Sequence, residues 1–304
     1  SQFIGMGKEL ASQFEVAKDV FSEVDEALGE KLSALMFRGD IEELTLTKNA
    51  QPAIMAVSIA ILRVMSSNGL NLKTIDLLAG HSLGEYSALC ASGVVSLRDT
   101  AIVLRKRGIA MQKAVSEGKG SMVAVLGLTS EAVNEFMNMS NCDNHLIQVA
   151  NDNDPSQVVI SGEKKEVEKF SEFLKEKNAK RIINLPVSAP FHSPLMKPAA
   201  LTMESELRKV NFSNPIVPII QNVDLSILGS TEGLVDRLVK QICGTVRWRE
   251  SLIKMAKEYR VKTFFEIGPG KVLVGTVKRT VSESKVFSVG LSSQIEDAME
   301  IINE

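Results

Sequence analysis

The stretch IDLLAGHSLGEYSAL, residues 75–89, decides the fold. Its apolar start predicts a strand, and the residues after Gly84 are compatible with a helix. Between them, GHSLG matches the pattern G-x-S-x-G, which requires a strand before it and a helix after it. The two glycines, Gly80 and Gly84, let the helix pack close behind the strand, with Ser82 at the apex of a strained turn.

This turn predicts that Ser82 is a nucleophile. The backbone N–H of Leu83, at the start of the helix, can face a developing oxyanion and is the predicted oxyanion donor. The alternative interpretation is a glycine-rich turn with an N-capping serine.

Composition excludes several classes of protein. The 304 residues are 44% hydrophobic and 24% charged, which is typical of a soluble globular chain with one large core or two domains. A net charge of −2 predicts no nucleic-acid partner. Since no apolar run approaches the roughly 18 residues that span a bilayer, we expect no membrane insertion.

The three cysteines, Cys90, Cys142 and Cys243, are widely spaced and form no CxxC pair. This pattern predicts neither a disulfide framework nor a metal site, and it favours a reducing compartment. We therefore expect the protein in the cytoplasm or in the lumen of an organelle. The chain starts at Ser1 without Met or a signal peptide, which suggests processing or trimming.

The order of predicted elements gives the fold class. Strands and helices alternate β-α-β-β-α-β from residue 121 to residue 187, a ferredoxin-like pattern. On either side of this unit, mixed helices and strands predict a helix-covered, mostly parallel sheet. We expect an α/β protein: a large α/β-hydrolase-like domain of residues 1–118 and 190–304, with an inserted ferredoxin-like domain of residues 119–189.

A serine nucleophile needs a base, and the chain has three histidines. His81 precedes Ser82 and cannot easily turn back onto it, and His145 lies in the polar stretch NCDNH. His192 lies in a loop between two prolines that fix the main chain, which suits a base. The alternative for His192 is an ordinary surface-loop histidine. The group that orients the base is not identified by any carboxylate, and a backbone carbonyl could serve.

The roles of three further charged residues remain open at this point. Arg105 and Arg107 flank the apolar face of a predicted helix on opposite sides, so either could reach inward. Glu85, one turn beyond Ser82, could act as an acid. Its default interpretation is a first-turn carboxylate that is favoured by the helix dipole.

Four segments together resemble the malonyl-CoA:acyl carrier protein transacylases of type II fatty-acid synthesis. They lie in the family's order and spacing over nearly the whole chain, and they are GHSLGEYSAL from Gly80, RGIAMQKAV from Arg107, PFHSPLMKPAA around His192 and EIGPGKVL from Glu266. The fold of that family agrees with the predicted one.

The resemblance implies a role for each matching residue. Ser82 would carry the malonyl group, and His192 would be its base. Arg107 would bind the free carboxylate, Asn151 would line the cleft, and the backbone carbonyl of Arg247 would orient the histidine. A guanidinium suits a carboxylate because it stays charged and can donate two parallel hydrogen bonds.

The resemblance also implies the substrates and partners. The enzyme would move malonyl from coenzyme A to the phosphopantetheine thiol of an acyl carrier protein, as a monomer, with no cofactor beyond the coenzyme A thioester substrate. The family begins with the motif F-P-G-Q-G-S-Q, of which Ser1 and Gln2 resemble the last two residues. The glutamine that supplies a second oxyanion donor would lie upstream of Ser1.

Two other functions are compatible with the same turn, Gly80–Gly84, which we call the elbow. A serine esterase or thioesterase would release a free acid to water with no thiol acceptor. A non-catalytic, acyltransferase-like docking module would form no acyl-enzyme at all.

Overall fold

The computed structural model describes residues 2–187 and 189–303, so Ser1 and its assignment to the family's motif lie outside the described residues. The N-terminal part is helical. Its α-helices are α1 (Lys8–Gln13), α2 (Glu15–Leu28), α3 (Leu32–Arg38), α4 (Ile41–Thr45), α5 (Thr47–Ser67), α6 (Leu83–Ala91) and α7 (Leu97–Lys113).

A compact unit follows in the order β-α-β-β-α-β, as predicted. Its elements are β1 (Gly120–Leu126), α8 (Ser130–Met139), β2 (Ile147–Asp154), β3 (Gln157–Glu163), α9 (Lys164–Glu176) and β4 (Arg181–Asn184). The strands form one antiparallel sheet in the order β2-β3-β1-β4.

The C-terminal part returns to alternating helices and strands. It contains α10 (Lys197–Leu207), β5 (Ile219–Ile220), β6 (Ile227–Leu228), α11 (Leu234–Cys243), α12 (Trp248–Lys257), β7 (Thr263–Ile267), α13 (Val272–Thr280), β8 (Lys285–Val289) and α14 (Ser293–Asn303).

The predicted parallel sheet is broken into short pieces in the structure. β7 and β8 pair in parallel, whereas β5 and β6 form a two-residue antiparallel ladder. The predicted strand before the elbow is reduced to one parallel bridge between Leu78 and Ile219. Leu78 uses both its N–H and its carbonyl in this bridge, and the chain then bends at Gly80 into the elbow. What the structure establishes is a mixed α/β fold with several small sheets.

The four-stranded sheet separates two apolar clusters because side chains alternate along a strand. Val123 and Val125 of β1 face the cluster that contains residues of α8 and α9. Met122 and Ala124 face the opposite cluster, which includes Phe191. The second face of the sheet therefore packs against the residue that precedes His192.

Helix α5 is the centre of the largest core. It is long and apolar enough to cross a membrane, but 67% of its most apolar window is buried inside the fold, as in a core helix. It begins at Thr47, so Pro52 lies inside the helix. A Cβ at Gly108 of α7 would lie 2.5 Å from the Cα of Lys48. This glycine therefore lets α7 approach α5 closely. As a result, polar side chains of both helices lie near the elbow.

Candidate active site

The elbow holds Ser82 in a strained backbone conformation. Its φ of 55° and ψ of −109° are rare for a residue with a side chain. The Ser82 N–H donates to Asn222 Oδ1 at 2.8 Å, and Asn222 Nδ2 donates to the Gly80 carbonyl at 2.8 Å. One buried asparagine thus ties both sides of the turn, which is how such strain is maintained in a folded protein.

The two glycines of the elbow differ in their surroundings. A Cβ at Gly80 would lie 1.9 Å from the backbone carbon and oxygen of Gly84, whereas a Cβ at Gly84 would meet no atom within 4 Å. The close approach of helix to turn therefore depends on Gly80.

We expect Gly80→Ala to lower the free energy of unfolding by at least about 3 kcal/mol, because the overlap is with backbone that cannot rotate away. Gly84→Ala is the matched control and should change stability by no more than about 1 kcal/mol. Urea unfolding of both variants measures the difference. Equal stabilities would show that the helix does not pack against Gly80.

His192 lies within hydrogen-bond distance of Ser82. Its Nε2 is 2.7 Å from Ser82 Oγ, and its Nδ1 is 2.7 Å from the backbone carbonyl of Gln241. A carbonyl can only accept, so Nδ1 carries the proton and Nε2 accepts from the serine hydroxyl. Burial, and secondarily the charge of Arg107, lower the pKa of His192 to about 3, so the ring is neutral. This is the arrangement of a serine with its general base.

The prediction that Arg247 supplies the carbonyl that orients the histidine is wrong. The Arg247 carbonyl accepts from the N–H of Ser251 at 3.0 Å and from its Oγ at 2.9 Å, because it starts helix α12. Its guanidinium pairs with Glu250. The carbonyl on His192 belongs to Gln241, near the end of the preceding helix α11.

A side chain of the four-stranded sheet holds the loop that carries His192. Gln148 of β2 donates to the His192 carbonyl at 2.7 Å and to the Cys243 carbonyl at 2.5 Å. His192 has a φ of 54° and is 3% exposed. One glutamine thus joins the histidine loop to the end of α11, which supplies the orienting carbonyl.

Arg107 is the inward-facing arginine. It is 1% exposed, and Nη2 lies 3.2 Å from Ser82 Oγ. Its other partners are neutral: Nη1 donates to Gln51 Oε1 at 2.7 Å, and Nη2 donates to Gln241 Oε1 at 2.8 Å. Within the described part of the chain, no carboxylate forms an ion pair with it and its Nε has no hydrogen-bond partner. The buried Glu85 carboxylate acts on this cation through space without forming an ion pair, so a ligand carboxylate could supply the direct anionic partner that a buried cation favours.

The position of Arg105 shows which of the two arginines faces inward, a question that the helical pattern left open. It lies on the other flank of α7 and bonds to Glu30 and to Asn49 Oδ1, away from the elbow. Its charge is thus already paired, and it serves as a natural comparison for Arg107.

Leu83 begins helix α6, and no acceptor for its N–H is recorded among residues 2–187 and 189–303. The first N–H groups of a helix lack intrahelical partners, so this amide is free to donate. The neighbouring N–H of Ser82 is already used by Asn222. The structure thus leaves the Leu83 amide available beside the serine.

On β2, the asparagine that contacts His81 of the elbow is Asn153 and not Asn151. Asn153 Oδ1 lies 2.9 Å from His81 Nε2. Asn151 is 7% exposed on β2, where its backbone bridges to Val246, and its side chain forms no hydrogen bond with the groups around the serine. His145 is exposed, whereas His192 is buried against Ser82.

The sequence did not identify the buried amides around Arg107 and His192, and it left Glu85 as either a possible acid or a first-turn carboxylate of the helix. Gln51 interrupts the apolar helix α5, Gln241 occupies an apolar-stripe position of α11, and Glu85 is 1% exposed in α6. A polar residue at a core position is the signal that could have found them, because buried polar groups need partners. No cluster that could hold a metal ion occurs in the part of the chain that the structure describes.

A strained serine with a neutral histidine base is typical of enzymes that form an acyl-serine intermediate. The chain belongs to the acyl transferase domain family, whose model matches residues 1–300. Within that family it is a member of the malonyl CoA-acyl carrier protein transacylases, as its relatives establish.

Three relatives carry this assignment. A malonyl CoA-acyl carrier protein transacylase of Bacillus subtilis (strain 168) is 47% identical over 304 residues, 100% of this chain and 95% of the relative. The crystal structure of an acyl-carrier-protein-S-malonyltransferase from Bartonella henselae has a TM-score of 0.96 at 51% identity, covering 100% of this chain and 96% of that one. A malonyl-transacylase solved with a type II PKS acyl-carrier protein has a TM-score of 0.94 at 39% identity, covering 99% and 96%.

Proposed function

We propose that this chain is a malonyl-CoA:acyl carrier protein S-malonyltransferase that works through a malonyl group on Ser82. The observation that carries the proposal is the buried Arg107, unpaired by any described carboxylate, 3.2 Å from the serine oxygen. An esterase for neutral acyl groups gains nothing from a buried cation at this position, whereas a malonyl group brings its own carboxylate.

The first half-reaction forms the acyl-enzyme. Ser82 Oγ attacks the thioester carbonyl of malonyl-CoA while His192 Nε2 takes the hydroxyl proton. The Leu83 amide donates to the oxyanion of the tetrahedral intermediate. When the carbon–sulfur bond breaks, the protonated His192 returns the proton to the coenzyme A thiolate.

The second half-reaction reverses these steps with another thiol. The phosphopantetheine thiol of the acyl carrier protein gives its proton to His192 and attacks the malonyl-serine ester. The protonated His192 then reprotonates Ser82 Oγ as the ester bond breaks. The 2.7 Å contact of Ser82 and His192 supports a single base for both halves.

Arg107 would bind the malonyl carboxylate throughout both half-reactions. Its charge lowers the pKa of His192, so a carboxylate that offsets this charge would make the histidine a stronger base when malonyl is present. Asn151 remains a proposed residue of the acyl cleft, since it is a buried polar residue of β2, the strand whose Gln148 holds the His192 loop.

The domain division is part of the proposal. Residues 119–189 would form the inserted ferredoxin-like domain, supported by the strand order β2-β3-β1-β4. Residues 1–118 and 190–304 would form the α/β-hydrolase-like catalytic domain. The bacterial relatives support a cytoplasmic location.

Incubation of the protein with malonyl-CoA, followed by intact-mass measurement, tests the proposal. We expect a stable malonyl adduct that disappears when an acyl carrier protein with a free phosphopantetheine thiol is added. A short-lived adduct with free malonate would indicate a hydrolase, and the absence of any adduct would indicate a docking module.

A further inference from the structure

Glu85 is more buried than a carboxylate in the first turn of a helix usually is. A carboxylate that only complements the helix dipole is usually exposed, but Glu85 is 1% exposed. It accepts from Gln241 Nε2 at 2.8 Å, from the Asn222 N–H at 3.2 Å and from Gln221 Nε2 at 3.3 Å. All three of its partners are donors.

Gln241 is the residue through which Glu85 reaches the reacting groups. Its backbone carbonyl accepts from His192 Nδ1, and its side-chain Oε1 accepts from Arg107 Nη2. Its Nε2 donates both to the Ser82 carbonyl at 2.9 Å and to Glu85 Oε2. One residue thus joins the nucleophile, the base and the buried cation.

The orientation of the Gln241 amide depends on Glu85. If the amide were flipped, its NH₂ group would face the Arg107 guanidinium, and its oxygen would face the Glu85 carboxylate and the Ser82 carbonyl. Each of these contacts would pair donor with donor or acceptor with acceptor. A negative acceptor at position 85 therefore selects the amide orientation that turns Oε1 towards Arg107.

We propose that Glu85 is a positioning residue that fixes Gln241, and through it Arg107 and His192, for transfer of an acidic acyl group. Glu85 forms no recorded hydrogen bond with Ser82 Oγ or with the His192 ring, so it acts through Gln241 and not on the substrate. The inference rests on the proposed function, because it assigns Arg107 to the malonyl carboxylate.

The protonation of Glu85 provides a second readout. Burial raises the pKa of its carboxyl to about 7, against the opposing effect of its donors and of Arg107. The other ionisable neighbours are Tyr86, whose pKa burial raises to about 12, and His192, which is neutral above about pH 3. The other groups that contact Glu85 are amides: those of Gln221 and Asn222, just after β5, and that of Gln241 in α11. A protonated Glu85 carboxyl carries an O–H donor, whereas its three partners are also donors. Its hydrogen bond with Gln241 therefore weakens as the pH falls through 7.

The test compares Glu85→Gln with the wild type in acylation by malonyl-CoA and by acetyl-CoA, at pH 5 to 9. We expect kcat/KM for malonyl-CoA to fall about 10- to 100-fold, the effect of one hydrogen bond to a charged group, and acetyl-CoA to lose less. The wild type should lose malonyl activity below pH 7, and the variant profile should be flat in this range.

Asp25→Asn is the matched control, because Asp25 is also a buried carboxylate, and its hydrogen-bond partner is Ser33 and not a residue of the site. Equal losses for both acyl groups, an unchanged pH profile, or losses no larger than those of Asp25→Asn would overturn the inference.

A crystal structure of Glu85→Gln separates this inference from the proposed function. A lengthened contact between Gln241 and Arg107, from its present 2.8 Å, would support positioning by Glu85 even if no malonyl-enzyme formed. An unchanged contact would refute it while leaving the malonyl-serine mechanism intact.

Discussion

Ser82→Ala is expected to abolish formation of the malonyl-enzyme. The substitution removes the atom that attacks the thioester, and loss of a nucleophile in a serine enzyme costs on the order of 10⁶ in rate. The variant should fold, because the backbone of the elbow is held by Asn222 and not by the serine hydroxyl. Intact-mass measurement after incubation with malonyl-CoA checks the expectation.

Ser87→Ala is a suitable control for Ser82→Ala. Ser87 is a second serine of helix α6, and its buried hydroxyl has no hydrogen-bond partner within the described ranges. This variant should be labelled like the wild type. A malonyl adduct that persists in Ser82→Ala would remove Ser82 from the nucleophile role.

The second large effect concerns Arg107→Ala. We expect kcat/KM for malonyl-CoA to fall by about 10³-fold, since two charge-assisted hydrogen bonds to a carboxylate are lost, each contributing about 1.5–3 kcal/mol. Acetyl-CoA has no carboxylate and should be affected far less. The ratio of the two rate constants, measured by stopped-flow acylation, is the diagnostic quantity.

Arg105→Ala is the control for the same helix. Arg105 lies two residues away and is paired with Glu30, so its loss should leave the malonyl-to-acetyl ratio unchanged. If the Arg107 and Arg105 variants changed the malonyl-to-acetyl ratio equally, Arg107 would not be the residue that recognises the carboxylate.

The parts of the site that lie in one short motif could be predicted from the sequence. Ser82, Leu83 and the helix behind them are adjacent in the chain, so the pattern of glycines specified their arrangement before any tertiary contact was known. His192 followed by elimination among three histidines and from its proline-bounded loop. Its contact with Ser82 joins residues 110 positions apart, which a pattern along the chain could not measure.

The parts that depend on tertiary geometry could not be predicted. The carbonyl on His192 was assigned to Arg247 and belongs to Gln241, because every residue has a carbonyl and only the path of the backbone decides which one faces the ring. Gln51 was overlooked, and Glu85 was singled out without its buried partners, since the partners of both residues lie on other helices and loops. A mostly parallel sheet was predicted, but the structure has several small sheets, and the strand before the elbow is reduced to one bridge where the chain bends.

The most direct test of the central claim is a crystal structure of the malonyl-enzyme. The distance to measure is that between the malonyl carboxylate oxygens and the Arg107 guanidinium nitrogens, with the acyl group on Ser82. We predict two parallel contacts of about 2.7–2.9 Å, the geometry of a bidentate arginine–carboxylate pair. A malonyl group on Ser82 whose carboxylate points to solvent, with Arg107 still bonded only to Gln51 and Gln241, would contradict the account.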